Sequence, residues 1–373
     1  MYKLRKGRSG DNEQILKVAN TAFSTVREQG FDFSAIMPKV YGAGKEFWKI
    51  HHVIECGGKI VSLAGNLPCE INVNGKAYKF SIVGTVSTLP ECRGKGYMSA
   101  LMNDIVRDSM NKQYVFSTLT GLRNRYRHFG FDKYTTVYKF VFEQQTVGYL
   151  KNNADLCVSV YDGNKDVLSA LYAIYAGTNP FVKRTKERFV DCLRISDAEI
   201  LVFTLGGQIC GYASFTARKR CVQEIVLKDY SLLPEVVGEI MSRRDFSEIT
   251  FLVNPLNLSA VKAFDAIAES KVLCDELHIR IFDMVKFLEM LLGLNGALLG
   301  NVNCEEVYVV DGQAISLKVH GGKAEVKECR TGANKTYTQS QFLRMVLGNG
   351  DNELCRNSNI FPLSFGINEP DMF

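Results

Sequence analysis

The chain has 373 residues, 46% hydrophobic and 23% charged, the make-up of a folded globular protein with material for two or three domains. Forty-five Lys and Arg against 40 Asp and Glu leave a net charge of +5, and with no aromatic-interleaved basic patch this argues against a nucleic-acid partner. Eleven cysteines are scattered singly behind a start, Met1-Tyr2-Lys3-Leu4-Arg5-Lys6, that lacks an apolar run; reduced thiols in a cytoplasm are expected, and no metal site, because His51-His52 has no ligand spacing around it.

In chain order, residues 2–5 read as a short strand, and Asp11 caps a helix with Ile15, Leu16, Val18, Ala19 and Phe23 on its apolar face. Residues 52–55 and 60–63 flank Gly57-Gly58 as a hairpin, and 69–73 and 77–83 flank Asn74-Gly75 as a second. Residues 80–86 form an apolar run ending in a basic, Gly-broken loop, after which Met98, Leu101, Met102, Ile105 and Val106 recur at helical spacing. A strand over 114–119, a short helical segment around Tyr126 and a final strand over 135–142 complete a first unit. A second mixed unit begins near Cys157, with a hairpin at Gly206-Gly207, strands over 224–227 and 249–253, and helices over 167–175, 233–241 and 259–267. From His278 a strand runs into a helix capped by Asp283, then hairpins at Asp311-Gly312 and Gly321-Gly322 and a helix led by Thr338. The apolar stretch 281–300 holds Asp283, Lys286 and Glu289 and is broken by Gly293, Gly296 and Gly300, so it reads as an amphipathic helix and not a membrane span.

The loop between the strand at 80–86 and the helix after it carries the chemistry. A helix N-terminus offers backbone N–H groups without intrahelical partners, its dipole favours negative charge, glycines admit a ligand closely, and Arg93 and Lys95 add fixed charge. A pyrophosphate is the natural guest. A Walker A loop is excluded because Tyr97, not Ser or Thr, follows the last glycine; a dinucleotide fingerprint is excluded because Ser99 stands where its third Gly belongs.

Arg93-Gly94-Lys95-Gly96-Tyr97-Met98 resembles the coenzyme A loop of the GNAT superfamily of N-acetyltransferases, Arg/Gln-x-x-Gly-x-Gly/Ala, with Met98 in the last, usually small, position. That departure is similar to the branch of enhanced-intracellular-survival acetyltransferases. The resemblance implies an α/β (α+β) fold of tandem GNAT-like mixed sheets with flanking helices. It divides the chain into a catalytic domain, 1–145, a degenerate GNAT-like domain without the phosphate loop, 146–275, and a sterol-carrier-like domain, 276–373, whose trace is Arg280-Ile281-Phe282-Asp283 with Leu288.

It also implies the site. Acetyl-CoA is the cofactor; its pyrophosphate lies on Arg93, Gly94, Lys95, Gly96, Tyr97 and Met98, while the strand edge at Val86, Ser87 and Thr88 pairs with pantetheine and polarises the thioester. Tyr126, in Tyr126-Arg127-His128-Phe129-Gly130-Phe131, resembles the family's tyrosine that protonates the leaving thiolate, to which a neutral hydroxyl at pH 7 is suited. The base is open. Residues 81–89 contain no acid, and Glu91 reads as a solvated loop residue. In the resembled family the terminal carboxylate, on a Phe, is the base, which here points to Phe373 at the end of an apolar tail; His128 and a bound water are the alternatives. The expected acceptor is a small aminoglycoside- or polyamine-like primary amine, or lysine. Longer-chain acyl transfer and a non-catalytic acyl-CoA sensor are the alternative functions, and the resemblance implies a homo-oligomer, a hexamer, off the membrane.

Overall fold

Asn74 and Gly75 take φ of 51° and 82°, the pair of positive values of a type I′ turn, whose twist matches that of the strands it joins. The turn closes the hairpin of Lys59–Val73 and Lys76–Thr88, the backbone of the first sheet. The expected turns at Gly57-Gly58, Gly206-Gly207, Asp311-Gly312 and Gly321-Gly322 have the same pair of positive φ values. The chain is seen in a computed structural model that describes residues 2–24, 31–134, 137–150, 155–178, 181–242, 246–275, 277–330, 336–348 and 358–373.

Among these residues there are three sheets. The first runs Lys3–Lys6, His51–Cys56, Lys59–Val73, Lys76–Thr88, Phe116–Thr120, Leu277–Ile281, Asp132–Tyr134, with Phe181–Val182 paired to Lys59–Val73. The second runs Ser270–Cys274, Val137–Glu143, Glu248–Val253, Cys221–Leu227, Gln208–Thr216, Glu199–Leu205, Leu156–Val160. The third is a four-stranded sheet of Lys323–Glu328, Gln313–His320, Cys304–Val310 and Thr336–Tyr337. No described helix is long and apolar enough to cross a membrane.

Besides Phe181–Val182, two strands expected from the sequence sit in other sheets than their place in the chain suggests. Val137–Glu143, expected to finish the first unit, pairs between Glu248–Val253 and Ser270–Cys274 in the second sheet; residues 135 and 136 of that expected strand lie outside the described residues. Leu277–Ile281, expected to open the third unit, lies between Phe116–Thr120 and Asp132–Tyr134 in the first. The side chains account for the exchange: Phe140 stacks on Phe264 and Phe142 meets Phe251 edge-to-face in the second core, while Leu277, Ile279 and Ile281 fill the first. A local apolar pattern states that a strand is buried, not which sheet buries it.

The helix caps follow the sequence with one change. Asp283 accepts from Lys286 N at 3.0 Å, and Thr338 forms a capping box with Gln341. The Asp11 carbonyl accepts the first helical bond, from Ile15, but its carboxylate turns away, to Arg8 N at 2.7 Å and Arg5 Nη1 at 2.5 Å.

The tail ties the three units together. Leu363 N donates to the Val346 carbonyl, Ser364 N to Asn295 Oδ1, and Phe365 packs edge-on to Phe116 and Phe287. Asn254 of the second sheet then donates to the Gly366 carbonyl, and the chain ends against the first sheet.

Candidate active site

The parallel strands Lys76–Thr88 and Phe116–Thr120 pair only at Ser81↔Ser117 and Ile82↔Thr118 and part beyond Ile82. A bulge bends the longer strand away: Leu63 faces Ser87 and Gly65 faces Gly84, which leaves Thr85 and Val86 opposite Ala64 alone. Thr85 has φ 50°, in the left-handed region, which a β-branched residue keeps only when its surroundings hold it. A buried chain does so. Tyr41 Oη lies 2.8 Å from Thr85 Oγ1 and 2.9 Å from His51 Nε2, while His51 Nδ1 donates to the Phe47 carbonyl at 2.6 Å.

Because a carbonyl only accepts, the proton of neutral His51 is on Nδ1 and Nε2 accepts. Burial pulls the His51 pKa down to about 4 from 6.5, so the ring is neutral at pH 7. A histidine held neutral stabilises the fold fully above its unfolded value and loses that contribution as pH falls from 6.5 towards 4. The loss amounts to about 3 kcal/mol. Chemical denaturation across that window is expected to show this acid limb in the parent and a flatter one in His51→Gln.

The parted strands open a cleft of about 1060 Å³. At one end is the loop. Gly94 and Gly96 sit at φ 77° and 75°, and Gly96 is the N-cap of the fifteen-residue helix Tyr97–Asn111 with no side-chain cap of its own. The first-turn amides therefore face the cleft without a competing side chain, which suits an anion. Arg93 and Lys95 flank them, exposed, and the loop fits a pyrophosphate. A Cβ at Gly96 would meet nothing within 4 Å, so the demand for glycine is one of backbone angle. Forcing an L-residue there costs about 1–2 kcal/mol, more if β-branched. Gly96→Val is expected to abolish the rise in melting temperature that coenzyme A gives the parent; equal protection would put the anion site elsewhere.

Tyr126 lies across the cleft, at the end of the short helix Arg123–Tyr126, and is 6% exposed. Its ring fills the space beside Gly121, where a Cβ would come within 2.6 Å of it. Burial raises its pKa, against the pull of Arg125.

Phe373 closes the other side. Its ring lies over the partnered pair Gly65 and Gly84, whose Cβ atoms would stand 2.1 and 2.5 Å from ring carbons. Only glycine leaves that slot open. Upstream, Arg184 grips Asp371 through Nε and Nη2 at 2.6 and 2.8 Å and Glu224 through Nη1 and Nη2 at 2.9 and 2.7 Å, all buried. Burial alone would lower the Arg184 guanidinium; the two carboxylates more than offset it. Burial raises Asp371, whereas Glu224, which also accepts from Tyr212 and Asn368, stays below its ordinary value. Lys39 donates to the Pro370 carbonyl at 2.6 Å and to that of Met372.

All the site residues expected from the sequence line this one cleft: Val86, Ser87 and Thr88, Arg93 to Met98, Tyr126 and Phe373. His128 and Glu91 are exposed and do not line it. The glycine slot, the Tyr41–His51 support, the Arg184 clamp and the lining residues Ser196, Lys219 and Glu369 were not legible beforehand. Gly84 in an apolar strand was the one available sign of a close approach.

The second sheet repeats the split. Cys221–Leu227 and Glu248–Val253 pair in parallel only at Cys221↔Thr250 and Val222↔Phe251, and a smaller cavity, about 580 Å³, opens beyond. Lys228, Asp229 and Tyr230 follow the strand there, with no glycine loop.

A mixed sheet parted at one parallel pair of strands, with a glycine-bearing helix N-terminus across the opening, is the geometry of the first cleft. Residues 3–134 match the family described as Acetyltransferase (GNAT) domain. This part of the chain matches a GNAT acetyltransferase domain, and the match supports an N-acetyltransferase that takes acetyl-CoA as acyl donor. No curated protein matches the chain. Among solved structures, the GCN5-related N-acetyltransferase from Kribbella flavida is similar at 15% identity and TM-score 0.68, over 94% of this chain and 90% of that one. A probable N-acyltransferase from Enterococcus faecalis is 14% identical with TM-score 0.65, over 93% and 90%. Eis1 from Mycobacterium abscessus is 15% identical with TM-score 0.62, over 93% and 90%. These likenesses are of fold.

Proposed function

We propose that the chain moves the acetyl group of acetyl-CoA to a primary amine in the first cleft, with Tyr126 as acid and the Phe373 carboxylate as base. One observation carries the reading: the anion loop, Tyr126 and Phe373 line the same opening between two parted strands. Bound acetyl-CoA supplies a thioester carbon activated for attack. Loop amides with Arg93 and Lys95 take its pyrophosphate, and the strand edge at Val86, Ser87 and Thr88 takes the pantetheine amides, with a backbone N–H from that strand polarising the thioester oxygen.

The Phe373 carboxylate removes a proton from the acceptor ammonium. As the new N–C bond forms and the C–S bond breaks, Tyr126 gives its proton to the departing thiolate. Its raised pKa keeps the hydroxyl protonated at neutral pH, as an acid requires. The proton then shed by the acetylated nitrogen restores the Tyr126 hydroxyl, while the one taken by Phe373 passes to solvent.

Residues 146–275 form, in this reading, a degenerate GNAT-like domain that binds no coenzyme A, and residues 276–373 a sterol-carrier-like domain that delivers the tail to the cleft. A cytoplasmic location and assembly into an oligomer belong to the same proposal; the first rests on the scattered single cysteines, the second on the family resemblance. The acceptors implied by that resemblance, an aminoglycoside- or polyamine-like molecule or lysine, share the primary amine. Free thiol released from acetyl-CoA on adding amines, with the acetylated amine identified by mass, tests the reading; coenzyme A bound without thiol release would leave a sensor.

A further inference from the structure

We infer that the acceptor is a small zwitterion, a primary amine on an aromatic or large apolar body with one anionic group, as in an aromatic amino acid, and not a polycation. The inference rests on the transferase reading above and names its substrate class.

The first ground is the wall of the cleft. Phe31 and Phe23 each meet the Phe33 ring at 4.9 Å; Phe33 meets Tyr41 at 5.3 Å, and Tyr41 stacks on Phe373 at 6.3 Å. Phe23, Phe31 and Phe33 thus line the cleft together with Phe373, and Tyr41, buried behind the lining, links the two sets of rings. A flat or apolar body buries its surface against such rings, a gain that a polyhydroxylated or polyamine chain obtains only in part, through cation–π contacts.

The second ground is charge. Among the described lining residues, and apart from the loop's Arg93 and Lys95, the side-chain cations are Arg125, Lys133 and Lys219, and the one side-chain carboxylate is Glu369. With the terminal carboxylate committed to one amine, a molecule with several ammonium groups would face more like charges than opposite ones. A molecule with one ammonium and one anion finds partners for both.

The third ground places the anion. Lys219 comes from the second sheet unit, its Nζ 3.3 Å from Ser196 Oγ. Ser196 and Asp197 take φ of 56° and 58°, two successive non-glycine residues in the left-handed region. The turn that holds them, Ile195–Asp197, packs on the helix Phe33–Ile36, and Thr216 Oγ1 donates to the Ser196 carbonyl at 3.1 Å. This turn, packed on the helix that carries Phe33, holds Lys219 on the cleft lining, where the carboxylate of a bound amino acid would meet it. The site is thus completed by the second unit.

The test is thiol release from acetyl-CoA by the full-length chain with phenylalanine, phenethylamine, alanine, spermidine and an aminoglycoside. Phenylalanine should give the highest kcat/KM, at least tenfold above spermidine and the aminoglycoside, with phenethylamine showing the loss of the anion and alanine that of the ring. Lys219→Glu, an exposed change that spares the fold, should raise KM for phenylalanine about five- to tenfold, leave kcat and the melting temperature unchanged, and close the gap to phenethylamine. Preference for spermidine or the aminoglycoside, or a Lys219→Glu variant indifferent to the carboxylate, would overturn the inference while the transferase reading stands. No thiol release with any amine, despite coenzyme A binding, would overturn both.

Discussion

A chain extended beyond Phe373 is expected to lose roughly 10²–10⁴-fold in turnover, the range for a general base, while an equal extension before Met1 leaves it active. The reason lies in how the terminus is held. Arg184 clamps Asp371, Lys39 binds the Pro370 and Met372 carbonyls, and the Phe373 ring lies over Gly65 and Gly84. These anchors act at or before residue 373, so the fold tolerates added residues. The carboxylate does not: it becomes a neutral amide that takes no proton from an ammonium. The comparison is therefore of kcat between the two tagged forms, with melting temperatures as control. Equal activity at equal stability would leave a bound water or His128 as the base, and His128 is exposed and outside the cleft lining.

Tyr126→Phe is expected to lower kcat by a similar roughly 10²–10⁴-fold while leaving the affinity for coenzyme A unchanged. The ring packs against Gly121 and within the core of the loop helix, and Phe keeps that packing. What it removes is the hydroxyl, whose pKa burial raises. Thiolate departure would then need a proton from solvent. Pre-steady-state thiol release and an equilibrium titration of coenzyme A separate the two effects. A variant within twofold of the parent would make Tyr126 a packing residue.

The loop was legible because its chemistry is contiguous: Arg93, Gly94, Lys95 and Gly96 precede a helix whose apolar period is plain, and backbone angles at two glycines do the rest. The hairpins were legible for the same reason, each being set by two residues. The exchanged strands Val137–Glu143 and Leu277–Ile281 were not, because pairing partners are chosen by cores assembled from distant segments. The clamp on the tail was equally hidden. Arg184, Glu224 and Asp371 are far apart in the chain, and each alone looks like a solvated surface charge until folding buries all three. Tyr41 and His51 likewise gave no sign that they brace a left-handed threonine in the strand that bounds the cleft.

The most direct measurement is thiol release from acetyl-CoA by the untagged chain, with and without a primary amine, read beside the mass of the amine. The account predicts thiol formed in step with acetylated amine, and loss of both signals in Gly96→Val. Coenzyme A bound at the loop with no thiol formed for any amine, or thiol formed without acetylated product, would contradict it.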